Sequence, residues 1–257
     1  MPDRPHDLTG RTYLITGAAS GIGAEIARGL AAPGACFAIH TRSNRDGAEE
    51  TIAALRAAGA KAALFLTDLA EADAGRHLVD SVQARFGRLD VLVSNAGFAD
   101  RRGFDELDTA GFEKSASVIQ RAFFEMASAA LPALCAAPAG RVVAIGSFVA
   151  KRFQPHAGKF AASAAAKAGL EALVKALAMR LAPHGATANC VIPGYIRKQA
   201  GAHSALTPEA WQKLAAEIPL QRLGTPQDVA ALVGFLCSPA AGYITAQSIM
   251  VDGGLTA

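Results

Sequence analysis

The chain has 257 residues, of which 51% are hydrophobic and 18% are charged, and its formal net charge is +3. This length is enough for one large domain with a full core, and the composition excludes a disordered chain. The net charge is too small, and the basic residues are too scattered, to predict a surface that binds nucleic acid.

Short β-rich segments alternate with Ala- and Leu-rich helical segments along the chain. The strands are predicted at residues 12–16, 36–40, 61–67, 89–95, 141–147, 186–194 and 248–254. The helices between them are predicted at about 22–32, 45–58, 71–86, 109–136 and 158–182. Strands that alternate with helices pair in parallel with right-handed crossovers. The predicted fold class is therefore α/β, with a single Rossmann-type, doubly wound parallel sheet of about seven strands and helices on both faces.

No low-complexity linker or internal repeat divides the sequence, so residues 1–257 are predicted to form one domain. Residues 195–220 differ in texture, because Tyr, Arg, His, Trp and Pro are mixed there between a strand and a later helix. We expect this segment to form a lid over the carboxyl ends of the strands, where open α/β sheets bind ligands.

The four cysteines lie far apart in apolar runs, at Cys36, Cys135, Cys190 and Cys237. This spacing predicts neither a metal site nor a disulfide framework, so we expect four buried thiols in a reducing compartment. The first ten residues are polar, and no apolar run reaches the length of a membrane span without Gly, Pro or charge. We therefore expect a cytoplasmic protein with no signal peptide and no membrane association.

A glycine-rich turn, TGAASGIG at residues 16–23, joins the first predicted strand to the first predicted helix. Glycines allow backbone N–H groups to approach a pyrophosphate, and the helix N-terminus adds a favourable dipole. A glycine-rich turn by itself can also be only a turn. Because this one lies between a strand and a helix, we interpret it as the phosphate-binding turn of a dinucleotide site, with contacts from Gly17, Ser20, Gly21, Ile22 and Gly23.

The end of the second predicted strand indicates which nicotinamide cofactor is bound. An acid at this point would bind a free ribose 2′-hydroxyl, but the segment instead contains Arg42, Ser43 and Arg45. A guanidinium pairs strongly and selectively with a phosphate. We therefore predict NADP(H) in preference to NAD(H), with Arg42 and Ser43 as contacts. The alternative is that the arginines only begin a solvated helix.

Further motifs follow the turn in a fixed order: Asp68, SNAG at 94–97, Ser147, AAAKAGLEALVKALA at 164–178, PGYI at 193–196 and VDGG at 251–254. Together with TGAASGIG they resemble the short-chain dehydrogenase/reductase family over nearly the whole chain. The resemblance implies an NAD(P)-binding domain and an oxidoreductase. By similarity, the contacts to the adenine, the ribose and the nicotinamide come, in that order, from Asp68 and Leu69, from Asn95, Ala96 and Gly97, and from Pro193, Gly194 and Ile196.

In that family a serine, a tyrosine and a lysine reduce carbonyl groups. The tyrosine donates the proton, while the lysine lowers its pKa and holds the nicotinamide ribose. Ser147 and Lys167 match this set, but the tyrosine position, four residues before the lysine, is Ser163. The position of an asparagine that helps to hold a water is Ile119. A serine hydroxyl is too weak an acid to replace a phenol, so the expected catalytic set of Ser147, Ser163 and Lys167 is a non-standard one.

Three interpretations remain open at this point. In the first, the protein reduces carbonyls, Ser147 and Ser163 polarise the acceptor, and the proton comes from water, Lys167 or another residue such as His156 or Tyr195. In the second, it reduces a conjugated C=C bond, for which polarisation of the carbonyl is sufficient. In the third, it is a catalytically impaired nucleotide-binding homologue that acts as a sensor or a partner subunit.

The second interpretation rests on a partial resemblance. Residues 163–178 are similar to 2,4-dienoyl-CoA reductases, in which a serine also replaces the tyrosine, but Gly146 and Ser147 stand where those enzymes have a separate tyrosine. Enoyl-acyl-carrier reductases place a tyrosine seven residues before the lysine, where this chain has Phe160.

The predicted helices at 109–136 and 158–182 carry more apolar residues than one sheet face would cover. In the resembled family such helices pair between subunits, so we expect a homotetramer or a homodimer, unless they pack only within one domain. The apolar residues Ile119 and Phe160 predict a hydrophobic small-molecule substrate. Aromatic residues that line either a substrate pocket or the core are Phe148, Tyr195 and Trp211.

Overall fold

The computed structural model describes residues 9–153, 159–197 and 208–257. The strands in these residues are β1 Thr12–Ile15, β2 Cys36–Thr41, β3 Lys61–Leu66, β4 Val91–Ser94, β5 Arg141–Ile145, β6 Thr187–Pro193 and β7 Ser248–Val251. They form one sheet in the order β3-β2-β1-β4-β5-β6-β7, and every neighbouring pair is parallel. The predicted α/β fold with a doubly wound parallel sheet is therefore confirmed.

Helices cover both faces of the sheet. In the described residues they are α1 Gly21–Gly29, α2 Arg45–Ala57, α3 Ala74–Phe86, α4 Thr109–Ala116, α5 Ala122–Ala136, α6 Ala161–Leu181, α7 Pro208–Ala216 and α8 Pro226–Cys237. One apolar layer packs α1, α2 and α8 against the sheet, and the other packs α3, α5 and α6. Alternate strand residues point into opposite layers, as Leu14 and Ile15 do, because side chains alternate along a strand.

The order of the strands reverses between β1 and β4. The chain builds β1, β2 and β3 outward in one direction and then returns to place β4 on the other side of β1. The connections that follow β1 and β4 therefore lead to helices on opposite faces of the sheet and leave a crevice between them, which is the usual ligand site of such sheets. This crevice lies between the turn that begins at Thr16 and the loop that begins at Asn95.

The predicted elements differ from the observed ones mainly at their ends. The predicted strand at 89–95 is Val91–Ser94, so Asn95 begins the loop that follows the strand. The single helix predicted at 109–136 is divided by a π-helical turn at Ser117–Arg121. Because that turn contains Ile119, the backbone is irregular at the position where the family resemblance places an asparagine.

The segment predicted as a lid contains a helix that the sequence analysis did not foresee. This helix, α7, occupies Pro208–Ala216. Residues 198–207 lie outside the described residues, so the role of a lid stays a prediction. Ile196, which precedes this part of the chain, forms an isolated parallel bridge with Gly224, which follows it.

The three aromatic residues that were assigned to either pocket or core pack together. Phe148, Tyr195 and Trp211 contact an apolar cluster around Ile218 and Leu223. The rings of Phe148 and Tyr195 are 4.5 Å apart between centroids. This packing supports the core assignment.

Two arginines bond backbone carbonyls at the amino ends of the strands, which is the end of the sheet opposite the crevice. Arg11 donates to the backbone oxygens of Cys237 and Ala139. Arg141 is buried and donates to Gly140 O at 2.9 Å and to Gly185 O at 3.5 Å. These carbonyls end or follow α5, α6 and α8, and the C-terminal ends of helices stabilise positive charge. The two guanidinium groups therefore bond backbone carbonyls and no carboxylate in the described residues, and the buried Nε of Arg141 has no hydrogen-bond partner there.

The cysteines are less uniformly buried than predicted. Cys190 and Cys237 are buried, whereas Cys36 and Cys135 are partly exposed because they lie at the start of β2 and in the last turn of α5. All four are free thiols. Among the helices of the described residues, none combines the length and the apolar character that crossing a membrane requires.

Candidate active site

The glycine-rich turn adopts a backbone that requires glycine. Gly17 and Gly21 have φ values of +63° and +56°, a left-handed conformation that is costly for other residues. A Cβ at Gly23 would lie 2.3 Å from Gly17 O. Ser20 caps α1 without a side-chain bond to the helix, and the first turn of α1 has no acid. The turn thus presents free backbone N–H groups and a hydroxyl, which is what an anionic pyrophosphate needs.

Asn95 and Thr16 fasten this turn to the loop after β4. The Asn95 side-chain amide donates to Thr16 O at 3.0 Å and to Gly17 O at 3.1 Å. Thr16 Oγ1 accepts the backbone N–H groups of Asn95 and Ala96, each at 3.0 Å. The two walls of the crevice are therefore held at a fixed separation, and the amide of Asn95 is used in holding them.

His40 supports the same turn from below, and sequence analysis missed it. Its ring is buried, Nδ1 accepts the N–H of Gly17 at 3.3 Å, and Nε2 lies 2.9 Å from Thr67 O. These bonds require a neutral ring that carries its proton on Nε2. Burial also lowers the pKa of His40, which favours that neutral form. In the sequence it is one histidine at the end of an apolar strand, which gives no signal of this role.

The crevice opens into a cleft whose first part, the nucleotide half, has a volume of about 480 Å³. Most of the residues predicted to bind the adenosine side line this half, namely Gly17, Ser20, Arg42, Asp68, Leu69, Asn95, Ala96 and Gly97. Ser43 is exposed beside the cleft but does not line it. Lys114 and Val118 line it from α4 and the π-helical turn, and neither was predicted.

Arg42 is exposed at the rim of the nucleotide half. It makes no ion pair with any residue in the described part of the chain. The next residue but one, Asn44, caps α2 by accepting the N–H of Gly47 at 3.1 Å. Arg42 thus stands just before a fixed helix start with its guanidinium available to a phosphate.

The second part of the cleft, the catalytic half, has a volume of about 430 Å³. It shares Gly17, Ser20, Asn95, Gly97 and Phe98 with the nucleotide half, so the two parts are continuous. Besides these shared residues, the predicted residues that line it are Ser147, Ser163, Lys167, Gly21, Ile22 and Ile196. The structure therefore brings the predicted catalytic residues together in one place.

Other predicted residues lie outside the lining of the catalytic half. Pro193 is the last residue of β6, and Gly194 follows it at a point where a Cβ would be 2.8 Å from Asp252 Cα. Ile119 is buried in the core, and Phe160 lies just before α6. The apolar lining comes instead from Phe98, Ala99, Ile145, Val149, Ile196 and Pro226.

Lys167 is a buried cation in the catalytic half. It is only 8% exposed, and its Nζ donates to Ile145 O at 2.5 Å. A Cβ at Gly97 would lie 3.4 Å from this Nζ, which places the ammonium beside the loop after β4. No carboxylate in the described residues pairs with it, and burial lowers the pKa of Lys167 to about 8. An ammonium with such a pKa can give up a proton near neutral pH.

Ser163, which is predicted to stand at the tyrosine position, bonds to the protein backbone. Its Oγ accepts the N–H of Asp100 at 2.8 Å and donates to Phe98 O at 3.4 Å. A serine has one O–H donor, and this one is directed at a backbone carbonyl. For Ser163 to polarise a substrate, the long bond to Phe98 O would have to be exchanged for one to the substrate.

Ser147 is the more available of the two serines. It lies at the carboxyl end of β5, and its Oγ accepts the N–H of Val149 at 3.4 Å, which leaves the O–H proton free to point into the cleft. The substitute donors considered above are placed less favourably. Tyr195 packs against the apolar cluster around Ile218 and Leu223 and does not line the catalytic half. His156 lies outside the described residues.

The charges along the cleft are strongly unbalanced. Four of the described residues that line the cleft are cations, namely Arg42, Lys114, Lys167 and Arg197. The one acid among the described lining residues is Asp68. Of these cations, Lys114 and Arg197 were not predicted. Such a surface favours a ligand that carries several negative charges.

Known proteins resemble this chain over nearly its full length. The family model described as enoyl-(acyl carrier protein) reductase matches residues 17–256. A cis-4-hydroxycyclohexanecarboxylate dehydrogenase of Sinomonas cyclohexanicum is 36% identical over 96% of this chain and 97% of its own length. This chain belongs to the short-chain dehydrogenase/reductase family. A second member, the L-rhamnose 1-dehydrogenase (NAD(P)(+)) of a Sphingomonas species, is 32% identical over 96% of this chain and 97% of its own length.

Solved structures of short-chain dehydrogenases/reductases agree closely with the fold. The enzyme from Serratia marcescens BCRC 10948 is 32% identical, with a TM-score of 0.89 over 99% of this chain and 100% of that one. A Pseudomonas aeruginosa RhlG/NADP active-site complex is 30% identical, with a TM-score of 0.88 over the same shares. The resemblance found in the motifs is thereby confirmed at the level of the family and its oxidoreductase chemistry.

Proposed function

We propose that this protein is an NADP(H)-dependent oxidoreductase that acts on a carbonyl or a conjugated C=C bond. The observation that carries the proposal is the cleft at the reversal of strand order, which joins a phosphate-binding turn, Arg42 and the Ser147–Lys167 pair. An arginine at the end of β2, in place of an acid, favours the cofactor with a 2′-phosphate.

The described residues fit a bound dinucleotide. The backbone from Gly17 to Gly23 would hold the pyrophosphate, and Arg42 with Ser43 would hold the 2′-phosphate. The loop from Asn95 to Gly97 would line the ribose, with Asp68 and Leu69 at the adenine and Pro193, Gly194 and Ile196 at the nicotinamide. When bound, the reduced nicotinamide supplies a hydride to the substrate carbon.

The residues of the chain then manage the substrate oxygen and its proton. Ser147 donates a hydrogen bond that polarises the oxygen, because its O–H is free. Lys167 donates the proton in reduction and accepts it in oxidation, and Nζ retains N–H groups beyond the one bonded to Ile145 O. Ser163 fixes the neighbouring loop and, where it exchanges its bond to Phe98 O, adds a second hydrogen bond to the oxygen.

The relatives support the proposal that the protein is an enzyme, and they are consistent with reaction at either a carbonyl or a conjugated C=C bond. The Sinomonas protein is named a dehydrogenase, whereas the matching family model is described as a reductase of enoyl groups. A panel of ketones, aldehydes and enones, assayed with NADPH, would separate the two reactions. Tight NADPH binding without turnover on any of them would instead favour a sensor or a partner subunit.

The proposal is tested most directly by the choice of cofactor. We expect the unmutated protein to bind NADPH at least tenfold more tightly than NADH, because a charge-assisted contact is worth about 1.5–3 kcal/mol. Arg42→Ala should remove most of that difference, as measured by calorimetry. Arg56→Ala, on the far end of α2, is the control and should leave both affinities unchanged. Equal affinity of the unmutated protein for both cofactors would reject the NADP(H) preference.

We also propose that the protein assembles as a homotetramer or a homodimer. Phe112 on α4 and Phe124 on α5 are 47% and 57% exposed, and Met179 on α6 is 60% exposed. Large apolar side chains on neighbouring helices are typical of faces that bind another chain. A second copy of the same helices would cover them.

A further inference from the structure

The catalytic half of the cleft contains cations without a counter-charge. Lys167 and Arg197 line it, and no acid does so among the described residues. The two internal segments outside the described residues, 154–158 and 198–207, contain no Asp or Glu in their sequences. The described residues that line this half therefore do not neutralise its positive charge.

The closest acids along the chain are already engaged elsewhere. Asp100, which follows the lining residue Ala99, accepts from Arg102 Nη2 at 2.7 Å. Asp228, two residues after the lining residue Pro226, accepts from Arg222 Nη1 at 2.8 Å and also completes the cap of α8. Neither carboxylate is free to pair with Arg197.

Arg197 is held by its backbone and leaves its side chain free. Its N–H donates to Gly224 O at 2.8 Å, next to the bridge between Ile196 and Gly224. The side chain is exposed, and it makes no ion pair or hydrogen bond with any residue the structure describes. A guanidinium on an anchored backbone can bind a carboxylate through two parallel hydrogen bonds.

We infer that the substrate is a small molecule that carries a carboxylate, and that Arg197 pairs with this group at the mouth of the catalytic half. The inference rests on the proposed function. Lys167 lies deeper, beside Gly97, where the reacting oxygen is expected, so the two cations would serve opposite ends of the substrate. The same half is also lined by the apolar side chains of Phe98 and Val149.

The pyrophosphate of the cofactor could use the same chemistry, because Ser20 and Gly21 also line this half. The backbone N–H groups of the glycine-rich turn already serve that group, which favours the substrate as the partner of Arg197. Experiment can separate the two anions, since one belongs to the cofactor and the other does not.

The test uses Arg197→Gln and Arg197→Lys, with Arg76→Gln as the matched control. Arg76 is an exposed arginine on α3 whose ion pair with Asp73 is long, at 3.9 Å. Calorimetry first gives the affinity of each protein for NADP⁺. The protein–NADP⁺ complex is then titrated with benzoate, cyclohexanecarboxylate and hexanoate, and with the corresponding neutral amides.

We expect at least one carboxylate to bind the unmutated complex about tenfold or more tightly than its amide, the ratio that one charge-assisted contact supplies. Arg197→Gln should abolish this preference and leave the NADP⁺ affinity within about twofold, a factor well below one such contact. Arg197→Lys should keep part of the preference, because it keeps the charge but loses the fork of donors. Arg76→Gln should change nothing.

Three results would overturn the inference. The first is that no carboxylate is preferred over its amide. The second is that Arg197→Gln leaves the preference intact. The third is that Arg197→Gln weakens NADP⁺ binding about tenfold with no effect on the carboxylates, which would assign the guanidinium to the pyrophosphate. If the unmutated protein bound no nucleotide, the proposed function would fail, and titration of the nucleotide-free protein would still judge Arg197.

Discussion

Lys167 combines burial with a missing partner. It lies in the catalytic half, donates to one backbone carbonyl, and has no carboxylate beside it in the described residues. A buried cation without a counter-ion costs stability. That cost is accepted at functional sites, where a shifted pKa is useful. In the proposed function Ser163 stands at the position of the family tyrosine, so the proton has to pass through a different group, and this lysine is the best placed of those described.

The pH dependence of turnover tests this role. Because the pKa of Lys167 is lowered to about 8, the ammonium that donates the proton is lost as the pH rises through that value. We expect kcat/KM for reduction to fall above about pH 8 and the rate of oxidation to rise. Lys167→Arg should lose activity without showing this limb, because arginine does not deprotonate. A profile that stays flat between pH 7 and 9 would contradict the assignment.

The same titration affects stability in a defined direction. Between the folded pKa of about 8 and the ordinary value of 10.5, the unfolded chain holds the proton that the folded chain has released. The free energy of unfolding should therefore rise with pH across this window. Lys167→Met should raise the free energy of unfolding at pH 7 by on the order of 3 kcal/mol, as measured by urea unfolding. The exposed Lys175 on the same helix provides the control, and Lys175→Met should change little.

The residues of the site could be predicted only in part. Motif order located Ser147 and the glycine-rich turn, because both follow the ends of strands, and the family resemblance located Lys167 within α6. The sequence could not show that the hydroxyl of Ser163 bonds the loop after β4, since this depends on how α6 packs. The same holds for His40, whose partners lie 23 and 27 residues away.

At the scale of elements, α6 is joined to the loop after β4 by a dense network. Ser163 bonds Asp100 N and Phe98 O. Lys159, just before the helix, contacts Asp105 at 2.6 Å, and the N–H of Ala161 donates to Arg102 O at 3.3 Å. This loop forms one wall of the catalytic half, so the start of α6 determines the shape of the substrate site.

Ser163→Ala should loosen that wall. It removes the hydrogen bond to the N–H of Asp100, which is partly exposed, and the loss of such a bond costs about 0.5–1.5 kcal/mol. We expect a loss of stability in that range, faster amide exchange at Asp100 by NMR, and a raised KM. Ser81→Ala is the control, because Ser81 is exposed and bonds only within α3. Unchanged exchange at Asp100 would show that the bond does not form in solution.

The strands were predictable because buried parallel strands are continuous apolar runs. The helix at Pro208–Ala216 was missed because its mixed residues were interpreted as a loop, although Trp211, Leu214 and Ala215 have helical spacing. The π-helical turn at Ser117–Arg121 could not be foreseen, since the same residues suit an α-helix. Its extra residue depends on the packing of α4 and α5 against α6.

For the molecule as a whole, the exposed apolar side chains predict an assembly. Sedimentation should give two or four times the chain mass of 26.3 kDa. Phe124→Glu should shift the mass toward one chain, because it places a charge in the expected contact. Leu66→Glu, at the end of the edge strand β3, is 44% exposed and should leave the mass unchanged. A single-chain mass for the unmutated protein would reject the assembly.

The amino and carboxyl ends of the strands are stabilised by different kinds of contact, and these contacts should respond differently to acid. Arg11 and Arg141 grip backbone carbonyls, which do not titrate. In the loop beyond the carboxyl end of β4, the contacts of Asp100 and Asp105 depend on the charge of these two carboxylates. Their ion-pair partners, Arg102 and Lys159, lower the pKa of both. Their contribution is present at neutral pH and disappears as the pH falls through those lowered values. Acidification should therefore loosen the loop after β4, which forms one wall of the catalytic half, while the bonds of Arg11 and Arg141 at the amino end of the sheet persist. The protein should lose its activity at a higher pH than the one at which the sheet unfolds.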